Sequence, residues 1–191
     1  MKTLALDIGG VCLTLDFQRA RRYFGLEPFG SFHSDWMELI DYYSNGLIGS
    51  WQFAEGIRKL TANCFSHEQI HEGWNLIIGE EIPETTRLLN HLWDNGWRIV
   101  FFSDTQPWHI ERLRDVLSYS KRIPEAIYSC DIGAQKPSNA MFEAFERSYG
   151  VPDLYLDDRQ MNIDAGLARG WRAVRVEPGV CTQLMESGML E

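Results

Sequence analysis

The chain has 191 residues, of which 45% are hydrophobic and 24% are charged, and its formal net charge is −9. This length suits one domain with a modest insertion and allows a full core. The negative charge argues against nucleic acid or an anionic membrane surface as the main partner. No run approaches the roughly 18 apolar residues of a membrane span. The four cysteines are far apart, so we expect free thiols in a reducing compartment. An Asp stands where a signal peptide needs its apolar stretch, so we expect a cytoplasmic location.

The first predicted strand covers about residues 3–8, and from Leu4 onward it is a continuous apolar run except for Asp7. Such a run is typical of a buried parallel strand. Gly9 and Gly10 follow, and glycines let the backbone turn sharply and approach a ligand closely. We therefore expect Asp7 at the carboxyl end of a central strand, where open α/β sheets bind ligands. An Asp at a strand end can also cap a helix, so this segment alone leaves both interpretations open.

The next part of the chain predicts helices rather than strands. A short helix is expected from Phe17 to about Gly25, and three or four more between about Glu27 and Glu81. Ser50 and Ser66 are placed as N-caps of two of these helices. This part is therefore expected to be a helical insertion after the first strand.

After this insertion, strands and helices alternate to the end of the chain. Alternation of this kind implies a parallel, doubly wound sheet. The predicted fold class is α/β, with a Rossmann-like sheet. Helices are expected at about 83–95, 107–117, 138–149 and 162–168, and strands at about 98–102, 126–129, 154–156 and 173–176.

Three further segments place polar residues beside these strands. They are Phe101–Thr105, Gln135–Pro137 and Leu154–Asn162. With Asp7, their order and spacing resemble the four motifs of the haloacid dehalogenase (HAD) superfamily of phosphohydrolases. The first motif, Asp-x-Gly-x-Val, is similar to that of the small phosphatases acting on sugar phosphates.

The resemblance runs through nearly the whole chain and implies a division into two parts. Residues 1–16 and 82–191 would form the α/β core, and residues 17–81 a small helical cap over the active site. It also implies a phosphatase that acts on a small phosphorylated metabolite.

The resemblance assigns the phosphate chemistry to three residues. Asp7 would be the nucleophile, because a carboxylate that attacks phosphorus gives an aspartyl-phosphate and splits a hard hydrolysis into two easier steps. Lys136 resembles the third-motif lysine, which pairs with Asp7 and the phosphate. Ser103 resembles the second-motif hydroxyl, which donates to a phosphate oxygen beside backbone N–H groups.

Acidic residues predict a magnesium site. Two carboxylates about 4 Å apart repel by roughly 4 kcal/mol at an effective dielectric near 20, so a cluster of them either has a raised pKa or binds a cation. Oxygen ligands beside a phosphate favour Mg²⁺. The resemblance implies that Asp7, Asp158 and the carbonyl of Gly9 hold the ion, with Asp157 and Asn162 supporting them. Alternatively, the acidic pair is a solvated helix start.

Two residues depart from the pattern of the superfamily. In most phosphatases of the superfamily, an Asp two residues after the nucleophile protonates the leaving oxygen. Such proton donation typically accelerates a reaction 10²–10⁴-fold. Here that position is Gly9. Asp104 stands where the resembled branch usually has Asn, and a carboxylate there weakens anion binding unless it is turned away, protonated or paired. We assign Asp104 to the substrate-binding segment and expect its side chain to cap the next helix.

Three functions remain open at this point. The favoured one is a Mg²⁺-dependent phosphatase of small phosphomonoesters, including sugar phosphates. The others are a non-catalytic relative that binds a ligand or protein, and a metal-independent 2-haloacid dehalogenase, against which the acidic pair Asp157 and Asp158 argues. Substrate choice would lie in the helical insertion, where the candidates are His33, Trp36, Tyr42, Tyr43 and Trp51.

Overall fold

The computed structural model describes residues 1–26, 34–188 and 190. The strands are β1 (Thr3–Leu6), β2 (Leu13–Leu15), β3 (Ile78–Glu81), β4 (Arg98–Ser103), β5 (Ala126–Tyr128), β6 (Leu154–Asp157) and β7 (Ala173–Arg175). The helices are α1 (Phe17–Tyr23), α2 (Ser34–Ser44), α3 (Ser50–Leu60), α4 (His67–Asn75), α5 (Pro83–Asp94), α6 (Pro107–Val116), α7 (Ser129–Ile132), α8 (Asn139–Tyr149), α9 (Gln160–Ala168) and α10 (Val180–Glu186). A short 3-10 helix covers Ser120–Arg122.

Five strands form a parallel sheet in the order β5-β4-β1-β6-β7. The central strand β1 pairs with β4 on one side and β6 on the other, so that Leu6 lies opposite both Phe101 and Leu156. From β1 the strand order runs outward in both directions, and the carboxyl ends around such a switch point are where open α/β sheets bind ligands. The predicted α/β fold with a parallel sheet is confirmed.

Helices cover both faces of this sheet. Successive side chains of a strand point to opposite faces, and in β1 Leu4 and Leu6 belong to one apolar cluster and Ala5 to another. The first cluster includes leucines of α5 and α6, and the second includes Met141 and Phe145 of α8. Burial on both faces explains why these strands are continuously apolar.

The helical insertion has its own apolar cluster. Phe53 of α3 and Trp74 of α4 are fully or almost fully buried in it. The predicted cap of α4 is confirmed, because the Ser66 side chain accepts a hydrogen bond from the backbone N–H of Gln69. The predicted cap at Ser50 is wrong by one residue: Gly49 occupies the N-cap position and Ser50 is the first residue of α3. His33 lies outside the described residues.

The end of the insertion is a strand rather than the expected helix. Ile78–Glu81 forms β3, which pairs antiparallel with β2 in a separate two-stranded ribbon. This ribbon joins a strand from the predicted core segment, residues 1–16, to one from the predicted cap segment, residues 17–81. The division into core and cap stays a prediction. Among the described residues, no helix combines the length and hydropathy needed to cross a membrane.

Candidate active site

Asp7 directly follows β1 at the carboxyl edge of the sheet. Its backbone N–H donates to the carbonyl of Leu156 at 2.9 Å, which extends the pairing of β1 with β6 by one residue. The residue is 6% exposed, and its carboxylate lies 3.0 Å from the Lys136 ammonium. Burial raises the pKa of Asp7, while the Lys136 charge opposes that rise. The Asp7 carboxylate is thus almost completely buried and lies against a cation.

Lys136 brings three of the predicted segments together. Its Nζ donates to the carbonyl of Phe102 at 2.7 Å and lies 2.6 Å from Asp157 Oδ2, in addition to its contact with Asp7. An ammonium group has three donors, so these contacts use all of them. Burial alone would lower the pKa of Lys136, but the charges of Asp7, Asp157 and Asp104 outweigh it and raise this pKa to about 12. Lys136 is therefore a fixed positive charge at the site.

Asp157 is fully buried and surrounded by hydrogen-bond donors. Besides Lys136, the Tyr155 hydroxyl donates to Oδ2 at 2.6 Å. The Arg159 backbone N–H donates to Oδ1 at 2.8 Å, and Asn162 Nδ2 reaches both oxygens at 3.0 and 3.1 Å. Because its oxygens are engaged by protein donors, Asp157 positions Lys136 and the turn into α9.

The acidic cluster consists of Asp7, Asp157 and Asp158, and one carboxylate oxygen from each lies within 4.8 Å of the others. Asp158 is half-buried, and burial together with the charge of Asp157 raises its pKa. Gly10 makes this approach possible: its φ is +73°, and a Cβ at this position would collide with an Asp158 carboxylate oxygen. Three carboxylates around one ammonium leave an excess of negative charge, and hard oxygen donors of this kind fit Mg²⁺.

Ser103 and Asp104 lie at the end of β4, beside β1. Ser103 is the last residue of that strand and is buried. The expected helix-capping role of Asp104 is wrong: Gln106 is the N-cap of α6 and makes no side-chain capping bond. Asp104 Oδ1 instead accepts the backbone N–H of Lys136 at 2.8 Å. This long-range hydrogen bond gives the Asp104 carboxylate a partner, although burial still raises the pKa of Asp104.

A cavity of about 180 Å³ opens next to Gly9, Ser103 and Asp104. The aromatic residues proposed from the sequence do not line it within the described part of the chain: Trp36 and Tyr43 are buried in the insertion, and Tyr42 and Trp51 are exposed. The insertion and its flanks contribute other side chains, which no motif in the sequence marked. They are Phe17, Met37, Ile40, Trp74, Ile77 and Ile78.

Solved structures share this architecture, whereas no family model matches the chain. A HAD family enzyme from Bacteroides thetaiotaomicron has a TM-score of 0.82 at 21% identity, over 94% of this chain and 95% of that one. The same enzyme was also solved with magnesium and inorganic phosphate, with a TM-score of 0.80.

Two further solved structures are similar to this chain. A predicted HAD-like family hydrolase from Porphyromonas gingivalis has a TM-score of 0.78 at 17% identity, over 98% of each chain. An L-2-haloacid dehalogenase from Xanthobacter autotrophicus has a TM-score of 0.62 at 14% identity, over 100% of this chain and 84% of that one. At these identities the likenesses establish a common fold.

Proposed function

From the haloacid dehalogenase fold of this chain we propose that it is a hydrolase of that superfamily, a Mg²⁺-dependent phosphatase of small phosphomonoesters. The observation that carries the proposal is the buried Lys136 ammonium 3.0 Å from Asp7, inside a cluster of three carboxylates. The magnesium and phosphate complex of the similar Bacteroides enzyme supports it.

In the proposed reaction Asp7 attacks phosphorus and the ester P–O bond breaks. The electron pair of that bond leaves with the ester oxygen, which takes a proton from water. A second water then attacks the aspartyl-phosphate, which releases inorganic phosphate and restores the Asp7 carboxylate. The Ser103 hydroxyl would donate to a phosphoryl oxygen, and the positive charge of Lys136 would offset the charge of the phosphoryl group, since phosphoryl transfer depends mainly on positioning and charge neutralisation.

Asp7, Asp158 and the carbonyl of Gly9 are the proposed metal ligands. Asp157 is engaged by four surrounding donors, so we assign it to holding Lys136, with Asn162 as its partner. When bound, Mg²⁺ supplies positive charge that offsets the charge of the phosphoryl group and the attacking carboxylate.

Because residue 9 is a glycine, no side-chain acid stands at the position from which most phosphatases of this superfamily protonate the leaving group. A Cβ on Gly9 would lie 2.8 Å from Leu15 Cδ1, so Leu15 covers this place. Because proton donation typically contributes 10²–10⁴-fold, we expect esters of acidic alcohols such as p-nitrophenol to react fastest.

The test is phosphate release from a panel of phosphomonoesters, with Mg²⁺ and with EDTA. We expect release that requires Mg²⁺ and is lost in Asp7→Asn. Asp94→Asn, at an exposed position of α5, is the matched control and should retain full activity. Phosphate release that survives in Asp7→Asn would remove the nucleophile from the proposal.

The same experiment separates the two other functions. Mg²⁺ binding without release from any ester would favour a non-catalytic ligand- or protein-binding relative. Chloride release from 2-chloropropionate in the presence of EDTA would favour a haloacid dehalogenase.

A further inference from the structure

The cavity beside the candidate active site is walled by aliphatic side chains. It measures about 180 Å³, and Gly9, Ser103 and Asp104 are among the residues that line it. Leu15, Phe17 and Met37 stand at its rim, where they are 41%, 50% and 46% exposed. An exposed apolar rim around a concave site is typical of a ligand-binding groove. The aliphatic wall includes Leu13, Leu15, Met37, Ile40, Ile77 and Ile78.

Two polar side chains of the wall, Gln106 and His109, are bonded to protein groups. Gln106 accepts from the Trp74 indole N–H at 2.9 Å and donates to the Ser44 hydroxyl at 2.8 Å. His109 lies 3.3 Å from the Trp74 carbonyl, and burial lowers its pKa to about 4. Among the described residues that line the cavity there is no Lys or Arg, and Asp104 is the one carboxylate.

We propose that this cavity receives the leaving group of the ester and selects a compact, uncharged, apolar one, such as a six-membered hydrocarbon ring. The inference rests on the proposed phosphatase function and names its substrate class. An apolar cavity of about 150 Å³ is large enough to bind benzene, so a ring of this size fits. The sugar phosphates suggested by the first motif are disfavoured, because hydroxyl groups that enter an apolar wall lose hydrogen bonds to water.

Two esters of equal ring size and similar alcohol acidity provide the test. Cyclohexylmethyl phosphate and glucose 6-phosphate are both esters of a primary alcohol on a six-membered ring and differ mainly in the ring oxygen and hydroxyls. We expect kcat/KM to be at least about tenfold higher for cyclohexylmethyl phosphate, since apolar pockets discriminate against added hydroxyls by up to about 100-fold.

Met37 provides a matched pair of variants, because it lies on a helix and is half exposed. Met37→Gln places an amide in the wall and should reduce the preference for cyclohexylmethyl phosphate over glucose 6-phosphate about fivefold. Met37→Leu should keep this preference, since apolar contact is retained. Leu167→Gln, at an exposed position of α9, should leave both rates unchanged. An equal loss of preference in Met37→Gln and Met37→Leu would contradict the assignment of this wall.

A binding measurement tests the cavity independently of turnover. With Mg²⁺ present, cyclohexylmethylphosphonate should bind at least about tenfold more tightly than methylphosphonate, and Met37→Gln should reduce that difference. Equal affinity of the two phosphonates, or a preference for glucose 6-phosphate over its apolar counterpart, would overturn the inference while the phosphatase proposal stands. Tight phosphonate binding without release from any ester would retain the cavity assignment and reject the phosphatase.

Discussion

Lys136 is a single ammonium group that pairs with two buried carboxylates. Asp7 and Asp157 are 6% and 0% exposed, and each lies within 3.0 Å of Lys136 Nζ. Taking ions out of water costs several kcal/mol for each, and removing one partner leaves the other charge uncompensated. The same residue therefore contributes to the stability of the fold and to the chemistry proposed for the site.

Lys136→Met should lower the free energy of unfolding by about 3–5 kcal/mol, because it leaves two buried carboxylates next to each other. Urea denaturation monitored by circular dichroism measures this. Lys121→Met, at an exposed position, should stay within about 0.5 kcal/mol of the wild type. A loss below about 1 kcal/mol in Lys136→Met would mean that the two carboxylates are protonated or hydrated in the folded protein.

Asp104→Asn should improve binding of the phosphoryl group. The amide oxygen can still accept the Lys136 backbone N–H that Asp104 accepts at 2.8 Å, while the negative charge disappears. One charge about 7 Å away through water is worth roughly 0.6 kcal/mol, so KM for a phosphomonoester should fall about threefold. Steady-state kinetics at low salt measure this, and a raised KM would show that the carboxylate itself is needed.

At the scale of elements, a buried hydrogen-bond chain ties the insertion to the sheet. Gln106 precedes α6, Trp74 belongs to α4 and Ser44 ends α2. The Ser44 backbone carbonyl also accepts the Ser129 hydroxyl at 2.7 Å. Two helices of the insertion are thus joined to Gln106, at the start of α6, and to Ser129, the first residue of α7.

Gln106→Ala removes both hydrogen bonds of this side chain in a buried place. Because losing a buried partner costs about 1–3 kcal/mol, we expect faster hydrogen exchange in α2 and α4 than in the wild type, with α8 unchanged. Mass spectrometry of peptic fragments resolves these helices. Gln183→Ala, at an exposed position of α10, is the control, and uniform acceleration in every helix would point to global destabilisation instead.

The sequence predicted the elements whose signals are local. Asp7 could be placed because an apolar run and two glycines surround it, and the cap at Ser66 because its partner is three residues away. The ribbon of β2 and β3 was missed, since two strands of three and four residues are defined only by pairing across more than sixty residues. The partner of Asp104 was missed for the same reason: nothing near it in sequence marks the Lys136 backbone.

At the scale of the whole molecule, the net charge of −9 opposes the approach of an anionic ester, so attraction has to be local. Lys136 provides a buried positive charge at the site, and the acidic cluster offers a place for a second, from a divalent ion. Trp74 of α4 contacts His109 of α6 beside this site, where both residues line the same cavity as Ser103 and Asp104. The contact of α4 with α6 therefore contributes to the stability of the whole fold. A substitution of His109 tests that contribution.

His109 of α6 is 8% exposed and stacks on Trp74 of α4, with ring centroids 5.6 Å apart. Burial lowers its pKa from 6.5 to about 4, so between these pH values the unfolded chain binds a proton that the folded chain does not. Stability is then lost as pH falls below about 6.5.

His109→Phe preserves a ring and removes the titration. Between pH 8 and pH 5, the wild type should lose about 2 kcal/mol more unfolding free energy than this variant, measured by urea denaturation. Parallel pH profiles of the two proteins would show that the ring is hydrated when folded.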